Sequence, residues 1–131
     1  MRRVLKTLIA ASFAMPIAAL AGPTDECSVE SSSQVETGAC LGAVKERVEA
    51  ALAIALGVAQ SQAAELDEVT GRDAAVPALT RAQEAWLAYR DASCEHAGAL
   101  FGGGSGTGIA IVDCQIRLTR QRTDVLFGAA R

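Results

Sequence analysis

The chain has 131 residues, which is enough for a single domain. The first 21 residues contain three of the 12 basic residues and none of the 15 acidic ones, so nine basic residues face 15 acidic ones in the remainder, a net charge of −6. Such an acidic surface argues against a nucleic-acid partner, because the phosphates would be repelled. It favours a cationic protein partner, which would be attracted over a long range.

The N-terminus has the features of an export signal. Arg2, Arg3 and Lys6 precede an apolar run over residues 8–20, and Ala19-Leu20-Ala21 fits the small-residue pattern that signal peptidase recognises. The apolar run is too short for a membrane span, which needs about 20 residues. We therefore expect residues 1–21 to be a signal peptide and the mature chain, without a membrane span, to be periplasmic or secreted.

Four cysteines follow the expected cleavage site: Cys27, Cys40, Cys94 and Cys114. An even number of cysteines in a small exported domain predicts disulfides. Their spacing lacks the close ligand pairs of zinc sites, so the sequence predicts no metal, and nothing in it indicates a cofactor. Four cysteines allow three pairings. We favour Cys27–Cys40 and Cys94–Cys114, because a local hairpin can close each bridge.

Residues 22–38 are polar and rich in serine, which is typical of an irregular arm. A first helix is predicted over residues 39–69, followed by a stop at Gly71. Its apolar and small residues recur at steps of three and four, which places them on one face. These residues are Leu41, Val44, Val48, Leu52, Ala55, Ala59 and Leu66, with the polar Gln62 at the step between the last two.

Two further helices are predicted after this stop. Pro77 suits the first turn of a helix over residues 76–101, which the glycine-rich segment Gly102–Gly108 ends. The last helix is expected from residue 108 or 109 to Phe127. The fold class is therefore all-α, with residues 39–131 forming a small bundle of three antiparallel helices. The last two helices form a hairpin, and two disulfides staple the domain.

The segment Ala82–Cys94 contains the only tryptophan and the only tyrosine of the chain. Aromatic residues beside arginine are frequent in binding surfaces, but at helical spacing they more often form an interhelical core with a polar network. The hairpin places Trp86 opposite Arg122, with a guanidinium over the indole, and Asp91 opposite Arg117. The predicted network contains Gln83, Trp86, Arg90, Asp91, Thr119 and Arg122.

The glycine-rich segment does not match a known catalytic or nucleotide-binding loop. It lacks the lysine of a phosphate-binding loop, the spacing of a dinucleotide fingerprint and the final glycine of a serine-hydrolase elbow. It reads either as a plain connector or as a recognition loop that contacts a partner. The candidate contact residues are Gly103, Gly104, Ser105, Gly106 and Thr107. No acid–base or nucleophile arrangement is visible elsewhere, so we expect no enzyme activity.

Three motifs together resemble the lysozyme inhibitor LprI-like family: the segment Ala82–Cys94, the Gly-Ser loop and the segment Cys114–Leu126. The resemblance covers the second half of the mature chain well. The matching positions are Ala82, Gln83, Trp86, Tyr89, Arg90, Asp91, Cys94, Gly104, Ser105, Cys114, Leu118, Thr119, Arg120, Gln121, Arg122 and Leu126.

The resemblance implies a small helical domain of the cell envelope that binds a cationic lysozyme and blocks its cleft. The donors offered to the catalytic carboxylates would be backbone N–H groups of residues 102–108 and the hydroxyls of Ser105 and Thr107. The alternative is a structural or accessory envelope protein that binds another protein and leaves lysozyme active.

Overall fold

The computed structural model describes residues 21–129, and the predicted signal peptide lies almost entirely outside these described residues. Four helices follow one another: α1 (Pro23–Ser28), α2 (Gln34–Thr70), α3 (Ala75–Ala99) and α4 (Gly106–Ala129). The range from residue 21 to residue 129 contains no strand. The all-α class and the three long helices are therefore confirmed, and α1 is an additional element.

The prediction of an irregular arm over residues 22–38 is wrong, because the polar residues of this segment cap helices. Pro23 occupies the first turn of α1, and the Asp25 carboxylate accepts a hydrogen bond from the backbone N–H of Gly22. The Ser33 hydroxyl accepts from the backbone N–H of Glu36 and begins α2 at residue 34. Serine and acidic residues thus mark helix starts here rather than a loop.

The turn between α2 and α3 is built from a glycine and a carboxylate. Gly71 ends α2 in the left-handed conformation with φ of 65°, which confirms the predicted stop. The Asp67 carboxylate then accepts the backbone N–H groups of Ala74, Ala75 and Val76 at 3.1, 2.8 and 3.0 Å. These bonds hold the pKa of Asp67 below its ordinary value, and the bond from Val76 contributes most.

Both predicted disulfides are confirmed. Cys27–Cys40 ties α1 to the first turns of α2, and Cys94–Cys114 joins α3 to α4. The Cys27–Cys40 bridge lies in a group of buried apolar residues, and the Cys94–Cys114 bridge is itself buried. Cys27 packs with Leu41, Val44 and Ile116, and Cys94 is fully buried.

The core runs along α4, which packs against both α2 and α3. A second buried cluster, Leu52, Ala55 and Leu126, lies further along the bundle, with Trp86 packed against its edge. Between α3 and α4, Gly98 is buried against Ile111, and a Cβ atom at this glycine would lie only 2.5 Å from Ile111 Cγ1. The two helices therefore approach closely at the end of the bundle that carries the glycine-rich loop.

Candidate protein-binding site

The connection from α3 to α4 is a series of hydrogen-bonded turns. The Gly102 N–H donates to the Ala99 carbonyl at 3.0 Å, and the Gly104 N–H donates to the Phe101 carbonyl at 3.1 Å. Gly102 and Gly103 adopt left-handed φ angles of 60° and 80°, which other residues rarely adopt. The run of glycines is thus required by the backbone path, and residues 102–105 are exposed to solvent.

Helix α4 begins at Gly106, two residues earlier than the first predicted start at residue 108. The Phe101 ring lies against this glycine, because a Cβ atom at Gly106 would be only 2.7 Å from Phe101 Cδ1. Thr107 turns towards α3, where its methyl group lies near Gly98 and its hydroxyl is buried without a hydrogen-bond partner. The expectation that the Thr107 hydroxyl reaches a partner is therefore not supported in this conformation.

Of the predicted contact residues, the structure exposes Gly103, Gly104 and Ser105, while Gly106 and Thr107 are half-buried in the first turn of α4. Whether these residues bind a partner stays a prediction. The loop adjoins the start of a helix, where backbone N–H groups lack helical partners and attract acceptors.

Three large apolar side chains near the loop are exposed, and sequence reasoning missed them. Val35 is 83 % exposed, Leu100 is 74 % exposed and Phe101 is 55 % exposed. Val35 belongs to the first turn of α2, and the other two follow the last turn of α3. Val35 could have been identified from the sequence as an apolar residue that lies off the buried face of its helix. The assignment of residue 35 to an irregular arm concealed it.

Two adjoining grooves link these side chains to the loop. One, of about 470 Å³, has Val35 and Ser105 in its wall, and the other, of about 720 Å³, has Leu100 and Phe101. Gln34 and Ile109 line both grooves, so the grooves share an edge. We call the surface formed by Val35, Leu100, Phe101 and the loop residues 102–105 the loop end.

The floor of the larger groove contains a carboxylate that fastens α1 to α4. Asp113 Oδ1 accepts hydrogen bonds from both the backbone N–H and the hydroxyl of Thr24 at 2.8 Å, and Oδ2 accepts from Arg117 Nε at 2.8 Å. Burial alone would raise the pKa of Asp113. The hydrogen bonds from Arg117 and Thr24 outweigh burial, so this pKa lies below its ordinary value.

An ion pair also joins α4 to α1. Arg120 donates to both carboxylate oxygens of Glu26 at 2.8 and 2.9 Å, a bidentate arrangement. The hydrogen bond from Arg120 lowers the pKa of Glu26, and the same bond raises the pKa of Arg120. Two charged contacts and a disulfide therefore hold α1 in place beside the loop end.

The predicted polar network forms in part, with different pairings. The Arg90 guanidinium, rather than that of Arg122, lies over the Trp86 ring, 5.1 Å from its centroid. Arg90 also pairs with Glu49 of α2 at 2.8 Å and with Asp91 at 3.1 Å. Trp86 and Arg90 lie one helical turn apart on α3, so the contact that was expected across the hairpin is made within one helix.

The remaining members of the predicted network separate into different environments. Arg122 donates to the Gln83 side-chain oxygen at 3.0 Å, which links α4 to α3. Thr119 is completely buried, and its hydroxyl has no hydrogen-bond partner. Arg117 pairs with Asp113 and Asp91 pairs with Arg90, so each of the two residues expected opposite one another has an ion-pair partner within its own helix. Gln83, Thr119 and Arg122 lie apart from the loop end, whereas the half-exposed Arg117 lines the larger groove.

Residues 21–129 contain neither a candidate metal site nor a candidate membrane span. In residues 21–129, no group of histidine, cysteine, aspartate and glutamate side chains is arranged to hold a metal ion. Among the same residues, no helix is both long and apolar enough to cross a membrane.

The fold and the site define a small, disulfide-stapled all-α domain with an exposed loop end. The chain belongs to the lysozyme inhibitor LprI family, whose model matches residues 25–126. An uncharacterized protein of Rhizobium meliloti (strain 1021) is 47 % identical over 49 residues, which is 37 % of this chain and 35 % of that protein. The match thus spans about a third of that relative's length. No solved structure matches the chain.

Proposed function

We propose that this protein is an exported lysozyme inhibitor that binds lysozyme through the loop end and obstructs its cleft. Membership of the family supports an inhibitor rather than an enzyme. Two disulfides support folding in an oxidising compartment such as the periplasm, as does the predicted signal peptide. The family match includes the loop and all three apolar side chains of the loop end.

The observation that carries the proposed site is the exposure of Val35, Leu100 and Phe101 around the loop. Protein–protein interfaces combine a small apolar centre, which supplies most of the binding energy, with a polar rim. At the loop end these three side chains supply the centre. Ser105 and Gln34, which line the smaller groove, supply polar groups at the rim.

The chemistry of the loop suits an enzyme cleft that contains two carboxyl groups, as in glycoside hydrolases. Residues 102–105 carry no side chain larger than serine, so the backbone can come close to such a cleft. The Ser105 hydroxyl and the backbone N–H groups of Gly103 and Ser105 are hydrogen-bond donors, which carboxylates accept, whereas the N–H groups of Gly102 and Gly104 donate within the loop. The net charge of −6 of the mature chain accelerates the encounter with a basic lysozyme at low salt.

The proposal is tested by lysozyme turnover on a cell-wall substrate with the purified mature protein and two matched variants. Val35→Lys places a charge at the loop end, whereas Val69→Lys places the same charge on α2 about 50 Å away. Val69 is 79 % exposed, so both variants should fold. We expect Val35→Lys to raise the half-inhibitory concentration by about tenfold or more, as for an interface centre.

Equal effects of the two variants would contradict the proposed site. Absence of inhibition by the unmodified protein at low salt would contradict the function for the lysozymes assayed. Recovery of a different envelope protein from periplasmic extract would then support the accessory role.

A further inference from the structure

The outward side of α2 has an unusual composition. Charged residues make up 21 % of the chain, yet residues 50–64 contain none. Within this stretch, Leu52 and Ala55 face the core, but Ile54 is 65 % exposed on the opposite side. A long helix on the surface of an acidic protein normally carries charges on its outward side, so this uncharged stretch needs an explanation.

The outward residues of α2 lie on one face, because they recur at steps of three and four. We call this set the outer face, and all its members are exposed in the structure. The outer face consists of Ala43, Arg47, Ala50, Ile54, Gly57, Ser61 and Glu65.

The outer face has a small gap beside its largest side chain. A Cβ atom at Gly57 would meet nothing within 4 Å, so no other part of the chain covers this glycine. Ile54 projects from the preceding turn. A neighbouring helix could place its own isoleucine in the gap at Gly57 and approach closely, as small residues permit between packed helices.

Charged residues flank the uncharged stretch at both ends. Arg47 lies on its N-terminal side, next to exposed Glu46, and Glu65 lies on its C-terminal side, with exposed Glu68 three residues further. The two residues are 18 positions apart, which is five full turns of an α-helix, so they lie on the same edge of the face. Reversing the direction of one copy of this helix therefore brings Arg47 of each copy opposite Glu65 of the other.

We propose that the outer face binds the same face of a second copy of this chain in an antiparallel, two-fold arrangement. In this register Ile54 of each copy lies over Gly57 of the other, and Arg47 of each copy lies opposite Glu65 of the other. A parallel arrangement would instead place arginine against arginine and glutamate against glutamate. The charge pattern therefore selects the antiparallel dimer.

The contact is short and its side chains are small, so the dimer is weak. We expect it to form at protein concentrations of about 100 μM and to dissociate on dilution, as small interfaces do. The outer face contains no residue of the loop end. Dimerisation and lysozyme inhibition can therefore succeed or fail independently.

Sedimentation velocity of the mature protein over a range of concentrations tests the proposal. We expect Ile54→Gln and Gly57→Gln each to weaken self-association by about tenfold or more. The first variant removes the apolar side chain, and the second fills the gap. Both positions are exposed, and glutamine is a better helix former than glycine, so the fold should be retained. The matched controls are Val125→Gln and Gly128→Gln, at exposed positions of α4, and these should have no effect.

A charge exchange tests the register. Arg47→Glu and Glu65→Arg should each weaken the dimer, because each places like charges opposite one another, and the double variant should restore it. A protein that remains monomeric up to about 1 mM would overturn the proposal, since even weak specific dimers form at that concentration. Self-association that responds equally to the α4 controls, or that the double variant fails to restore, would overturn it as well.

Discussion

Asp113 connects two parts of the chain that are distant in sequence through three hydrogen bonds. Its carboxylate receives two bonds from Thr24 and one from Arg117, at the base of the groove beside the loop end. Side-chain spacing predicts an ion pair such as Asp113–Arg117, one turn apart on α4, but not the bonds to Thr24. The bonds from Thr24 depend on where α1 packs against α4, which no local sequence pattern specifies.

We predict that Asp113→Asn destabilises the protein by about 1–3 kcal/mol, because an amide cannot accept from Arg117 as a carboxylate does. The measurement is urea unfolding of both proteins. Asp124→Asn, at an exposed position on the same helix, is the control and should change the free energy of unfolding by less than about 0.5 kcal/mol.

The effect of Asp113→Asn should depend on pH. The folded-state pKa of Asp113 is lowered, so its stabilising contribution is complete above the unfolded-state pKa and is lost as the pH falls through the folded-state pKa. The difference in unfolding free energy between the two proteins should therefore be full at neutral pH and shrink below about pH 4. A difference that is the same at pH 7 and pH 3 would contradict the proposed role of this carboxylate.

At the scale of the helices, the existence of α2, α3 and α4 follows from apolar spacing, but α1 does not. α1 is only six residues long, and its buried residues are Pro23 and Cys27, which is too few to produce a periodic pattern. Its stability comes from caps, a disulfide and contacts with α4. The same reason explains the early start of α2, because the cap at Ser33 lies outside the apolar pattern.

The close packing of α3 on α4 depends on Gly98, which sequence reasoning also missed. A glycine inside a helical pattern ordinarily weakens the helix, so its presence indicates a packing constraint. We predict that Gly98→Ala destabilises the protein by about 1–3 kcal/mol, since the new methyl group would displace Ile111. Thermal unfolding compares this variant with the unmodified protein.

Gly42→Ala provides the matched control for Gly98→Ala. A Cβ atom at Gly42 meets nothing within 4 Å, so this variant should stabilise α2 by about 0.5–1 kcal/mol through helix propensity alone. If both variants raised the melting temperature, the interface between α3 and α4 would not be as tight as the structure indicates.

At the scale of the whole molecule, the disulfide pairing was predictable because each bridge closes a local segment of 13 or 20 residues. A disulfide between cysteines close in sequence needs only a local hairpin, so this pairing is favoured over the alternative pairings of the four cysteines. The loop end was predictable only in part. Its glycines form a recognisable run, but Val35 joins them only through the packing of α2 beside α4, and that arrangement depends on the whole bundle.

The outer face of α2 and the loop end give the molecule two surfaces with different expected partners. The outer face is apolar with compensating charges at its ends, a pattern that suits a second copy. The loop end combines exposed apolar side chains with a small-residue loop, which suits a cleft. Because the two surfaces lie apart, a dimer would leave both loop ends free to bind.

Hydrogen exchange of the mature protein, measured with and without saturating lysozyme, would locate the surface that lysozyme covers. We expect lysozyme to slow exchange in peptides covering residues 31–38 and 99–108, which contain the loop end, and to leave residues 64–75 at the opposite end of α2 unchanged. Slower exchange confined to residues 64–75, or unchanged exchange throughout while lysozyme is inhibited, would contradict it.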